Sequence, residues 1–177
     1  ATAIEISNDD YQTSRAVNNR ALIYESQEKY ELAIEEYTRA IEINPKDPLF
    51  YSNRALRYFY SLEDYEKALE DFTSAIDLDK ENPKSYNYRA DCYVALEDFT
   101  NALKDLDKAI DLANDAYYYN NRADFYEAQG KYDKALLDYN TCIRIDPKQS
   151  KYFYYRSKLL TDMGELDRAL NDINEAI

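Results

Sequence analysis

Apolar residues in this chain recur at three- and four-residue steps, as in Tyr51, Ala55 and Tyr58, then Tyr65, Ala68, Leu69 and Phe72. That spacing collects apolar side chains on one face of a helix. The pattern breaks at short polar stretches that carry helix signals. Asp47-Pro48 and Asn82-Pro83 set a capping side chain before a proline whose fixed φ suits a first turn. Asp115 and Ser150 are expected to cap two later helices, while Asn44-Pro45 and Asp146-Pro147 mark stops. The only glycines, Gly130 and Gly164, are expected at turns that end helices. The chain therefore reads as helices joined by short turns.

The pattern also repeats. The strings NNRALIYES, YSNRALRYF, YNYRADCYV, YNNRADFYE and YYRSKLLTD align on Ala21, Ala55, Ala90, Ala123 and Ser157, at intervals of 33 to 35 residues. A second small column runs through Ala33, Ala68, Ala102, Ala135 and Ala169, and a third through Ala40, Ala75, Ala109, Cys142 and Ala176. Small residues suit close helix crossings, and aromatics fill the space beside them. Each unit reads as two antiparallel helices. Such a hairpin cannot bury both faces alone, so its neighbours must stack on it. Residues 1–13 are expected to be a lead or tail. Residues 14–177 form one array, divided at 14–47, 48–82, 83–115, 116–149 and 150–177, the last unit cut short.

These features resemble the tetratricopeptide repeat, whose period is about 34 residues. The aromatic-small-aromatic first helix is visible in Tyr86, Ala90 and Tyr93, and the A-x3-aromatic second helix in Ala68 to Phe72 and Ala135 to Tyr139. The terminal proline is matched by Pro45 and Pro147. The resemblance implies an all-α fold, a right-handed superhelix or α-solenoid of tandem antiparallel helix hairpins. Two departures are local: an extra residue before Leu62-Glu63-Asp64, and one missing around Asn114.

Composition narrows the function. With 35 acidic and 22 basic residues the net charge is −13, which argues against nucleic acid and anionic membrane surfaces, whose binding needs Lys and Arg. The absence of His removes the commonest neutral-pH acid–base group and metal ligand. Cys92 and Cys142 lie in different repeats and read as buried free thiols, which fits a reducing compartment. There is no glycine-rich phosphate loop and no spaced acidic calcium loop. The expectation is no enzyme, no catalytic residue, no metal and no cofactor. No apolar run is long enough for a membrane span. The start lacks both an initiator Met and a signal-peptide pattern, and the end falls inside a helix pattern. A fragment is expected, cytoplasmic unless a targeting segment lies outside it.

Core must be subtracted before surface is read. Four columns absorb twelve of the 20 tyrosines, among them Tyr37 and Tyr139, Tyr30 and Tyr132, and Tyr24 and Tyr126. The arginine before each small residue (Arg20, Arg54, Arg89, Arg122, Arg156) faces an acid in the second helix (Glu36, Asp71, Asp105, Asp138, Asp172). These are expected to form a structural ladder within hairpins or between them. What remains on the first helices is the candidate site. Asn18, Asn19, Asn53, Lys84, Asn87, Tyr88, Tyr117, Asn120, Asn121, Lys151, Tyr154 and Tyr155 share one face, which Leu22, Leu56, Asp91, Asp124 and Lys158 extend. Asn is a mediocre helix former, yet it returns at one register. A carboxamide can pair with any peptide bond, and tyrosine adds stacking area.

By resemblance to the family, these first helices line a concave groove. The expected function is a protein-interaction scaffold that holds a peptide or partner protein there, with Asn53, Asn87 and Asn121 exposed. Some family members grip acidic chaperone tails through a Lys-Asn, Asn, Lys-Arg clamp. The corresponding places here hold Asn18 and Leu22, Asn53, then Lys84 and Tyr88; one window later they hold Asn87 and Asp91, Asn121, then Lys151 and Tyr155. The clamp is absent. Two alternatives stand beside the peptide groove. One is self-association through the C-terminal end, where Leu170, Ile173 and Ile177 lack a polar cap; the other is a regulatory arm of a larger enzyme.

Overall fold

The computed structural model describes residues 6–177, and among them every regular element is an α-helix. In chain order these are α1 (Asn8–Ser26), α2 (Tyr30–Ile43), α3 (Pro48–Leu62), α4 (Tyr65–Leu78), α5 (Pro83–Ala95), α6 (Phe99–Leu112), α7 (Ala116–Ala128), α8 (Tyr132–Ile145), α9 (Ser150–Asp162) and α10 (Leu166–Ala176). α1 opens ahead of Ser14, with the Ser7 hydroxyl accepting from the Asp10 backbone N–H. Asp47, Asn82 and Asp115 each accept a backbone N–H from two residues on, as their positions before the helices require. The expected cap at Ser150 is displaced by one residue. Ser150 is the first residue of α9, Gln149 holds the cap position, and no side chain bonds there.

The turns inside the hairpins share one device. A single residue in the left-handed region reverses the chain, with φ of 67° at Gly130 and 79° at Gly164. The other three turns use Glu28, Glu63 and Glu97 at φ of 58°, 52° and 60°, where a Cβ makes the conformation unfavourable. Four of the turns close by a backbone bond from an N–H to the carbonyl five residues before it, as from Lys29 to Tyr24 and from Lys131 to Tyr126. After α3 the bond instead runs from Asp64 back to Tyr58. The extra residue before Leu62 is thus taken up as one wider loop at the helix end. The missing residue near Asn114 shows as a shorter connection between α6 and α7.

The chain forms two compact units, one ending at Ala102 and one beginning at Leu103, with the division inside α6. In the first unit α1 packs on α2, α2 on α3, α3 on α4 and α4 on α5. Ala21, Ala33 and Tyr37 form one fully buried cluster; Ala55, Ala68, Phe72 and Cys92 form another. Burying a ring such as Phe72 contributes about 2–3 kcal/mol. Phe50 packs with Val17 against Ala40, so the third small column receives an aromatic from the next hairpin. In the second unit α7 packs on α8, α8 on α9 and α9 on α10. The same exchange recurs there, with Tyr152 against Cys142 and Ala116. The column of Phe50, Ser85, Tyr118 and Tyr152, five residues before the small residue, is buried and was not anticipated. Phe50 and Tyr152 of this column meet the preceding hairpin.

Both cysteines are buried free thiols. Burial pushes each up to about 12, which keeps them protonated and chemically quiet. The arginine ladder is structural. Arg54 forks onto Asp71 at 2.7 and 2.8 Å, Arg122 onto Asp138 at 2.8 and 2.8 Å, and Arg156 onto Asp172 at 2.7 and 2.6 Å. Each pair joins the two helices of one hairpin. A further N–H reaches the preceding hairpin: Arg54 to Thr38, Arg89 to Thr73, Arg122 to Asp107 and Arg156 to Asn140. The two arrangements expected as alternatives therefore coexist on the same side chains.

Candidate functional site

In the first unit the predicted face divides into buried and open parts. Asn18 and Asn87 are only 3% and 1% exposed, so their expected place on an open surface is corrected. The reason is visible at Asn18. Its Oδ1 accepts from Asn53 Nδ2 at 2.9 Å, an amide bond that stitches α1 to α3 and leaves Asn53 half-buried. Tyr88 stacks on Phe72 with ring centres 5.6 Å apart and planes at 19°, so one of its faces supports the core. Asn19 and Lys84 are exposed, as are Leu22 and Leu49 beside them. At the end of α1, Glu25 accepts from the Tyr37 hydroxyl at 2.7 Å and pairs with Arg57 Nε at 3.1 Å. The Arg57 guanidinium carbon lies 5.9 Å from the centre of the Tyr30 ring.

Asp91 follows Ala90 in α5, the place that Leu22 and Leu56 hold in the two earlier hairpins. Loss of hydration pushes its carboxyl up to about 7.

In the second unit the open residues are aromatic and charged. Tyr117 and Tyr154 are 42% and 53% exposed, and each meets a more buried tyrosine: Tyr117 touches Tyr118 edge-on, and Tyr154 lies beside Tyr155. Lys151 places its ammonium 4.9 Å above the Tyr152 ring. Asn121 is half-buried. Asn120 donates to Asp124 at 2.9 Å, while its Oδ1 is buried with no donor among the described residues. Three repeats earlier the Oδ1 of Asn18 takes Asn53 as its donor; here the place of Asn53 is held by Tyr155, which packs against Tyr139 instead.

Beside these residues lies a cavity of about 390 Å³ lined by Asp124, Glu127, Tyr132, Tyr139, Tyr155, Lys158 and Asp162. Tyr139 is buried, but its hydroxyl reaches Asp124 Oδ1 at 2.6 Å and Glu127 Oε2 at 3.0 Å. Burial, then the bond to Asp124, raises the Tyr139 phenol far above its ordinary range. Desolvation also raises the Asp124 carboxyl, against the pull of the Tyr139 bond. Among the described residues Lys158 is the only cation lining the cavity, 3.6 Å from Glu127, with its side chain 64% exposed. Of the twelve candidate residues Tyr155 lines this cavity, joined by Asp124 and Lys158 from the positions that extend the face. Glu127, Tyr132 and Asp162 were missed, and Tyr139 had been counted as core only. The available signal was the change from Leu22 and Leu56 to Asp91, Asp124 and Lys158 along one column.

A family model described as tetratricopeptide repeat matches residues 14–47 and 116–149, and a second of the same description matches 53–117. The chain belongs to the tetratricopeptide-repeat family. No curated protein matches it in sequence. Among solved structures it is similar to pilF of Pseudomonas aeruginosa, with a TM-score of 0.81 and 17% identity over 96% of this chain and 77% of that one. MamA from Desulfovibrio magneticus RS-1, residue 41 to its end, gives a TM-score of 0.80 and 14% identity over 97% and 95%. YrrB, described as a TPR protein with an unusual peptide-binding site, gives 0.67 and 24% over 91% and 83%. At such identities the likeness concerns the fold. Tetratricopeptide repeats are typical of protein–protein interaction scaffolds. Among the described residues no three potential ligands gather as a metal site, and no helix is long and apolar enough to cross a membrane.

Proposed function

We propose that this chain is a binding scaffold, not an enzyme, and that it holds an extended peptide against the exposed residues of its first helices. One observation carries the reading. Leu22 and Leu49 in the first unit, and Tyr117 and Tyr154 in the second, stay 40–53% exposed on the helices whose other faces are packed. Leu49 and Tyr117 hold the same repeat position, and large apolar and aromatic side chains left open on one set of helices suit contact with a partner. The peptide-binding site named for YrrB, a protein of similar fold, supports the reading.

The burial of Asn18 and Asn87 changes how the peptide is read. Asn18 holds the scaffold through Asn53 and Asn87 is buried, so Asn19, Asn121, Tyr88 and Tyr155 are left to meet the ligand beside the four open residues. Peptides selected by phage display against the whole chain test the reading. Their affinity, measured by calorimetry, is expected to fall at least about tenfold in a Leu49→Ser, Tyr117→Ser, Tyr154→Ser variant whose helicity matches the parent. Equal affinity for parent and variant would move the site elsewhere.

A second reading rests on α10, where Leu166 and Leu170 are 64% and 62% exposed. That face suits a stacking copy of the chain. A sedimentation mass that rises with concentration supports it, and a constant monomer mass removes it.

A further inference from the structure

The cavity of the second unit has an internal counterpart, and that counterpart is filled. In the first unit, Glu25, Tyr30 and Tyr37 stand where Glu127, Tyr132 and Tyr139 stand three repeats later. There the chain supplies its own ligand. Arg57 lies with its Nε 3.1 Å from Glu25 and its guanidinium 5.9 Å from the Tyr30 ring, and its side chain is only 20% exposed. Tyr37 donates to the same Glu25 oxygen at 2.7 Å. In the second unit the place of Arg57 is taken by Leu159, which is fully buried. The acid and the tyrosines are kept, and the arginine is gone.

The residues around the cavity strengthen the case. Leu22 is replaced by Asp124 and Tyr60 by Asp162, so three carboxylates face the cavity. Lys158 pairs with Glu127 from 3.6 Å and acts on Asp124 only through its charge, and it lies largely in solvent. A volume of about 390 Å³ lies in the range of ligand-binding cavities. The tyrosine rings offer π faces, and a guanidinium can fork onto a carboxylate while lying over a ring. A lysine would supply charge without the fork.

We propose that the cavity formed by Asp124, Glu127, Tyr132, Tyr139 and Tyr155 binds an arginine side chain of the partner peptide, as Glu25, itself bonded by Tyr37, pairs in charge with Arg57 beside the Tyr30 ring. The inference rests on the peptide-binding reading and specifies one residue of the ligand.

The test uses the whole chain, labelled with nitrogen-15, and two capped tripeptides: Ac-Ala-Arg-Ala-NH2 and its neutral isostere with citrulline in place of arginine. The arginine peptide is expected to shift the backbone amides of Glu127, Ala128 and Tyr155, with an affinity at least about tenfold above that of the citrulline peptide. Glu127→Gln is expected to erase the difference. Asp162→Asn, at an exposed position, is expected to reduce it and serves where Glu127→Gln disturbs the spectrum. Equal shifts from both peptides overturn the arginine assignment while leaving the peptide-binding reading intact. Shifts confined to amides around Leu49 or Tyr117 overturn the cavity in the same way. No shift at the cavity amides across the titration also overturns it, whatever the phage-selected peptides do.

Discussion

The first and fourth hairpins carry the same small and aromatic columns, yet their polar side chains are spent differently. In α1–α2, Arg20 meets Glu36 through a single contact with its side chain 46% exposed. Asn18 is answered by Asn53, and Glu25 by Arg57. In α7–α8, Arg122 forks onto buried Asp138 and also reaches Asp107. Asn120 keeps an unanswered oxygen there, and Glu127 faces an open cavity. Columns at helix crossings tolerate only small or apolar residues, because interiors are close-packed. Polar positions beside them answer to a neighbour's side chain and can drift together. The first hairpin meets Asn53 and Arg57 of the next hairpin; the fourth meets Tyr155 and Leu159 at the same two places.

The largest expected effect comes from the arginine ladder. Arg122→Ala strands Asp138, which is 5% exposed, and should cost about 3 kcal/mol in urea denaturation. Arg20→Ala should leave the urea midpoint unchanged. Equal losses at the two sites would mean that the first pair is as structural as the fourth.

Asp91 gives the next effect and a pH signature. Its folded pKa is raised to about 7 by desolvation, so the folded state holds this proton more tightly than the unfolded chain does. The stability linked to that proton is present at low pH and is lost as pH rises through about 7. Asp91→Asn should therefore stabilise the protein by about 1–2 kcal/mol at pH 8, with the gain fading toward pH 4. Thermal unfolding at both values checks this, and a gain independent of pH would point to packing. Leu22 and Leu56, at the same place in the first two hairpins, carry no such charge.

The smallest effect separates the turns. No atom lies near a Cβ added to Gly130, whose φ is +67°, so Gly130→Ala should cost about 1 kcal/mol through backbone conformation alone. Glu28 occupies the equivalent turn of the first hairpin at φ 58°. Glu28→Gly should gain less than about 1 kcal/mol, because relief of strain is offset by a more flexible unfolded chain. Chemical denaturation of the two variants reads both signs.

Most of the fold was legible in the sequence because its constraints are local and periodic. The columns of Ala21, Ala33 and Ala40, the caps at Asp47, Asn82 and Asp115, and the arginine–acid register all follow from spacing along one helix or hairpin. The site was less legible, because exposure at a hairpin seam depends on the neighbour. Asn18 reads as a surface amide until Asn53 of the next hairpin is seen to donate to it. Phe50 and Tyr152 were missed as core for the same reason, since the surface that covers them belongs to the preceding hairpin. The cavity escaped because it is defined by what Leu159 and Tyr155 do not supply, which only a comparison between repeats reveals.

The second reach of each inner arginine has a consequence for how the chain can change length. The acceptors on the preceding hairpin are Thr38, Thr73, Asp107 and Asn140, four residues of three chemical types that all offer an oxygen at one position. A hairpin copied from one place in the series and inserted at another would bring its own internal pair and still find an acceptor waiting. The joint is generic, so duplication and deletion of whole hairpins meet little penalty at this bond. Individuality such as the cavity near Glu127 can then arise in one copy while the joints on either side stay interchangeable.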